Sequence, residues 1–202
     1  MTVRRFALAA AAFLALCLPA HAHHMMDGEL PGTFAQGLLS GLGHPVIGLD
    51  HLAFIVAVGL AIGVYGLNPL VALAFVGASM AGVLAHVAGF SLPGGELLVA
   101  ASVLVVGILL ARGVALSAPL WSALFALAGF FHGYAYGESI YGAEQTPVLA
   151  YLAGLFVVQG VIALGVAALS RQIAQAPMNG RLAGAAVAGI GIAVLAGHIL
   201  PA

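Results

Sequence analysis

Apolar stretches of membrane-spanning length fill this chain and leave few folds open to it. Residues 46–67, 69–90, 95–112, 119–136, 147–170 and 181–200 run almost without charge, and Asn68-Pro69, Pro93-Gly94-Gly95, Pro119, Pro147 and Pro177 punctuate them. About 20 apolar residues in a helix cover the ~30 Å hydrocarbon core of a bilayer. Inside that core every backbone N–H and C=O needs an internal partner, which a helix provides by itself. With 63% hydrophobic residues, 5% charged residues and no lysine, the composition is that of a membrane protein. The expected fold is an all-α integral membrane protein with about six transmembrane helices over 46–202. Its medium is the lipid bilayer, and no basic run points to a nucleic-acid partner. Nothing in the sequence sets an oligomeric state.

The N-terminal part reads separately. Arg4-Arg5, the apolar run Phe6 to Leu18, and Ala20-His21-Ala22 form the three zones of a secretory signal peptide, predicted to be cleaved after residue 22. Cys17, the one cysteine, leaves with it, so disulfide and thiolate chemistry are excluded from the mature chain. Residues 23–45 then form a periplasmic N-terminus. It starts with His23 and His24, candidates for metal capture, and contains a helix over Thr33 to Leu42, too short to span and therefore interfacial or re-entrant. Threading six passes from an outside N-terminus puts 66–69, 111–118 and 170–181 in the cytoplasm. Arg112, Arg171 and Arg181 all fall at those connections, as the positive-inside rule requires. The six carboxylates Asp27, Glu29, Asp50, Glu96, Glu138 and Glu144 fall at the other side. The expected location is the bacterial inner membrane, with both mature termini periplasmic.

The histidines follow the carboxylates. His44, Asp50 and His51 open the first span, with the Gly43 to Pro45 break placing His44 at its N-cap. On a straight helix His44 and His51 would be ~10 Å apart along the axis, so they share a site only if the chain bends. His86, His132 and His198 lie late in spans two, four and six, at the same depth. Unpaired imidazoles in lipid are costly, so five in one layer point to a common polar site. Small-residue stripes let helices approach: Ser79-Gly82-His86-Gly89, Gly129-His132-Gly133-Tyr136, and Ala185-Gly189-Ala193-Gly197. Gln159, deep in span five, reads as an interhelical hydrogen-bond anchor.

Imidazole and carboxylate without thiolate suit Ni2+, Co2+, Zn2+ and Cu2+. The segment His44-Pro45-x-x-Gly48-x-Asp50-His51 with Phe54, together with Phe131-His132-Gly133-x-Ala135-x-Gly137-Glu138, resembles the HupE/UreJ family of bacterial nickel permeases. The resemblance covers nearly the whole chain. It implies uptake of Ni2+ for enzymes such as hydrogenase or urease, with His44, Asp50, His51, His132 and Glu138 as transport residues. His86 and His198 join that set on depth alone. The metal is then substrate, with no permanent cofactor, and Co2+, Zn2+ or copper remain alternatives. Two other classes fit the histidines: an intramembrane zinc-dependent hydrolase, and a haem-b membrane protein.

Overall fold

A computed structural model describes residues 29–173 and 177–200. The expected signal segment 1–22 and the capture candidates His23 and His24 lie outside the described residues. The described chain is all helix: α1 Phe34–Ile47, α2 Leu49–Val64, α3 Val71–Val87, α4 Gly95–Arg112, α5 Ala118–Gly137, a 3-10 turn Glu138–Ile140, α6 Gln145–Ile173 and α7 Pro177–Ile199. Each of the six apolar stretches is a helix. By length and apolarity, Gly95–Arg112, Gln145–Gln172 and Met178–Ile199 are able to cross a membrane, and α1 with α2 would add a fourth crossing if that bent pair is one broken span. The protein is thus a helical membrane protein.

The N-terminal helix departs from the expected one. A capping box starts it: Thr33 Oγ1 accepts from the Gln36 amide at 3.2 Å while Gln36 Oε1 accepts from the Thr33 amide at 3.1 Å. It then continues through Pro45, which removes one intrahelical bond without ending the helix. The break falls instead at Gly48, whose extended backbone caps α1 and opens α2, and the two axes meet at 80°. A Cβ at Gly48 would stand 2.6 Å from Cδ2 of His51, so only glycine lets the chain turn this tightly over that ring. His44 therefore sits in the last turn of α1, not at the N-cap of a span.

Helix α2 is the centre of the bundle, packed against α6, α4 and α7, with Phe54, Ile55, Ala57, Val58, Ala61 and Ile62 wholly enclosed. The close contacts give the directions. Phe75, Ser79 and His86 of α3 meet Gly129, Gly133 and Gly137 of α5, so these two helices run parallel. Gly59 and Gly63 of α2 meet Ala163 and Ala167 of α6, again in parallel. Leu104, Gly107 and Ala111 of α4 meet Gly191, Ala188 and Gly184 of α7, in opposite directions. The α7 stripe in use is therefore Gly184-Ala188-Gly191. The expected Ala185-Gly189-Ala193-Gly197 stripe is turned away, with nothing near Gly189 or Gly197. A helix this rich in Gly and Ala carries a small-residue row on more than one face, and only the neighbour selects between them.

The two ends of the bundle differ in charge. Arg181 donates to the carbonyls of Ala111 and Arg112, both at 3.1 Å, where α4 ends at a left-handed Gly113. Arg171 donates to the Leu67 carbonyl, so Arg112, Arg171 and Arg181, the three arginines among the described residues, gather at one end. His44, His51, His86, His132 and His198 with Glu96, Glu138 and Glu144 are at the other. Between them, rings fill the middle: Phe54 packs on Phe75 and Phe125, and Phe125 on Trp121, which stacks on Tyr65.

Candidate metal-transport site

The bend at Gly48 folds the end of α1 back over the start of α2, which brings the His44 and His51 ring centroids to 6.1 Å, edge to face. One straight helix could not do this. His44 Nδ1 is 2.9 Å from Tyr151 Oη on α6 and 3.0 Å from Ser139 Oγ in the 3-10 turn. Both hydroxyls also reach the Tyr136 carbonyl, at 2.9 and 3.0 Å. Ser139 Oγ is also 3.1 Å from Tyr151 Oη, so the two hydroxyls, the carbonyl and the His44 ring form one hydrogen-bonded cluster. The Tyr136 ring lies tilted against His51 with centroids 4.3 Å apart.

His51 and His132 face each other directly, Nδ1 to Nδ1 at 2.9 Å, in a wholly protein-lined layer: His132 is 0% exposed and His51 8%. Phe54 packs on the His132 ring at 4.5 Å from the bundle side. On the far edge of His132, Nε2 lies 3.0 Å from Ser102 Oγ of α4. Asp50, in the first turn of α2, turns Oδ1 to the His51 amide at 2.8 Å. A carboxylate there suits the positive end of the helix. Three imidazoles from three helices thus converge, with Asp50 beside them.

His86 and His198 do not join this group. They line an open groove of about 360 Å³ with Glu96, Glu138, Leu92 and Tyr134. His198 Nε2 is 3.0 Å from Glu96 Oε2, and His86 Nδ1 is bonded to the Tyr134 carbonyl at 2.9 Å. The seven expected site residues are therefore split: His44, Asp50, His51 and His132 form the inner group, and His86, Glu138 and His198 sit in the outer groove. Among the described residues no three of these side chains stand close enough to enclose one ion together. The rings of the inner pair are bonded to each other at 2.9 Å.

Five contributors were not singled out as site residues by sequence reasoning: Tyr136, Ser139, Tyr151, Ser102 and Glu96. Ser102 had a visible signal, being the one polar side chain between Leu97 and Leu110. Gln159 is the anchor it was expected to be. It meets Ser79 Oγ at 2.9 Å with both residues unexposed.

The family described as HupE / UreJ protein matches residues 11–194. Protein HupE of Rhizobium leguminosarum bv. viciae is 33% identical over 188 residues, which cover 91% of this chain and 94% of that protein. No solved structure matches the chain.

Proposed function

The chain belongs to the HupE/UreJ family, and on that footing we propose that it admits a divalent transition-metal cation, Ni2+ first and Co2+ second, across the bacterial inner membrane. The observation that carries this reading is the convergence of His44, His51 and His132 from three helices, with Asp50 adjacent, inside a largely apolar bundle. Intramembrane ionisable groups brought together in this way are expensive unless they serve a path. Their chemistry, imidazole and carboxylate without sulfur, suits Ni2+ and Co2+.

The path has an order. The outer groove, with Glu96 and Glu138 beside His86 and His198, collects the hydrated cation, and Asp50 with the inner imidazoles takes it next. Further in, the aromatic column from Phe54 to Tyr65 must part for release. Six alternating passes are supported by the helix directions, since α3 with α5 and α2 with α6 run parallel while α4 and α7 run opposed. The arginine end then faces the cytoplasm by the positive-inside rule. Both mature termini are then periplasmic. No nucleotide is required, because a divalent ion crossing an inside-negative potential of ~100 mV gains about 4.6 kcal/mol. The imported metal would supply a nickel enzyme such as hydrogenase or urease.

Proteoliposomes with an imposed potential test the reading by flux of Ni2+, Co2+, Zn2+ and Cu2+. Metal-independent hydrolysis of an ester or amide is not expected. A zinc-dependent turnover or a Soret band without metal flux would replace the permease with a hydrolase or a haem protein. Two variant pairs check the order of the path. Asp50→Asn lowers uptake by about tenfold or more, whereas Glu144→Gln, outside both groups, stays within about twofold of wild type. Replacing Glu96 and His198 together by Gln raises the half-saturating Ni2+ concentration several-fold at low ionic strength, and the difference shrinks in about 0.5 M salt because the groove acts by charge.

A further inference from the structure

We infer that Ser102 is a positioning residue that sets which ring nitrogen of His51 meets the cation. The consequence for transport rests on the permease reading above, whereas the geometry stands without it. The argument starts from a hydroxyl, which has one proton to give. Ser102 Oγ is 2.7 Å from the carbonyl of Val99, one turn back on α4, and 3.0 Å from His132 Nε2. The carbonyl can only accept, so the shorter bond takes the proton and Oγ faces His132 as an acceptor. Nε2 of His132 therefore carries a hydrogen.

The rest follows along the chain of contacts. No carboxylate is hydrogen-bonded to either ring among the described residues, and a charged imidazole packed against Phe54 and Phe75 would be costly. A neutral imidazole has one N–H, so His132 Nδ1 is bare. That bare nitrogen is the one 2.9 Å from His51 Nδ1, which must donate to it. His51 is thereby held with its hydrogen on Nδ1 and its lone pair on Nε2. Among the described residues that Nε2 has no hydrogen-bond partner. A ligating histidine usually gives its second ring nitrogen to an outer partner that fixes tautomer and orientation. Here the outer partner is His132, and Ser102 fixes His132. The hydroxyl on α4 thus acts on the cation two side chains away, and in this conformation His132 works through His51.

Two measurements on the full chain in bilayers test this. With ¹⁵N-labelled histidine, solid-state NMR distinguishes protonated from bare ring nitrogens without any metal present. The expected spectrum contains a neutral ring protonated at Nδ1 that disappears in His51→Gln. It loses intensity to the other tautomer in Ser102→Ala and is retained in Ser102→Thr, whose hydroxyl can still donate to the Val99 carbonyl. In Ni2+ flux, Ser102→Ala raises the half-saturating concentration about tenfold with the maximal rate within about twofold, and Ser102→Thr restores it. A His51 ring protonated at Nε2 in the wild type overturns the inference, as does a Ser102→Ala half-saturation equal to wild type. The two readings separate cleanly. Expected tautomers without any wild-type flux would remove the permease and leave the relay, and normal flux with the opposite tautomer would do the reverse.

Discussion

His51→Ala abolishes potential-driven Ni2+ uptake, lowering the initial rate in proteoliposomes by more than roughly 100-fold, beyond the range usual for loss of a ligand's outer partner. The size follows from the position of the ring. The His51 ring lies 6.1 Å from that of His44 on one side and 5.0 Å from that of His132 on the other. Its removal takes away one ligand and also separates the other two imidazoles. The substitution leaves Nδ1 of the 0% exposed His132 without its partner, a loss of about 1–3 kcal/mol. Thermal unfolding in detergent therefore belongs beside the flux assay. A folded His51→Ala protein that still carries Ni2+ at wild-type rate would end the assignment of the inner group as the path.

Gly133→Val prevents the bundle from closing. The Cβ of any side chain at 133 would collide with the backbone of Ser79, its carbonyl oxygen, carbonyl carbon and Cα together, and backbone cannot swing aside as a flexible side chain would. Helices α3 and α5 must then separate at the level of the site. That costs about 1–3 kcal/mol or more in overpacking, and it breaks the 2.9 Å contact from Ser79 to Gln159 and moves the neighbouring His132. Lower folded yield, a lower unfolding temperature and loss of flux are expected together. Gly189→Ala is the matched control. Nothing lies near that position, and exchanging Gly for Ala within a helix is favourable by about 0.5–1 kcal/mol. Equal stability of the two variants would show that the α3 to α5 contact is not what holds the bundle together.

Much of this architecture is written locally. The apolar runs and their Pro and Gly punctuation mark where helices form, because backbone hydrogen bonds in lipid leave no other choice. The start of the N-terminal helix is visible near Thr33, and the structure adds the capping box to Gln36 that fixes it. The separation of Arg112, Arg171 and Arg181 from the acids and histidines is visible without coordinates, and so is the lone polar Gln159. What spacing cannot show is direction around an axis. His86, His132 and His198 share a depth, yet depth alone does not say that His132 turns inward to α2 and α4 while the other two open on a groove. The same limit explains α7, where rows of small residues on adjacent faces look alike and only Leu104, Gly107 and Ala111 of α4 select one.

By itself the sequence determined a helical membrane protein with histidines and carboxylates at one end and arginines at the other, since charge and periodicity are properties of the chain alone. The tertiary structure decided that the chain breaks at Gly48 rather than at Pro45, that the break is 80°, and that this bend turns His44 onto His51. A proline can be accommodated near the end of a helix when neighbours hold it. An 80° turn over an imidazole ring needs a residue without a Cβ, and where that ring sits is fixed by His132, Ser102 and Tyr136, which lie more than 50 positions away.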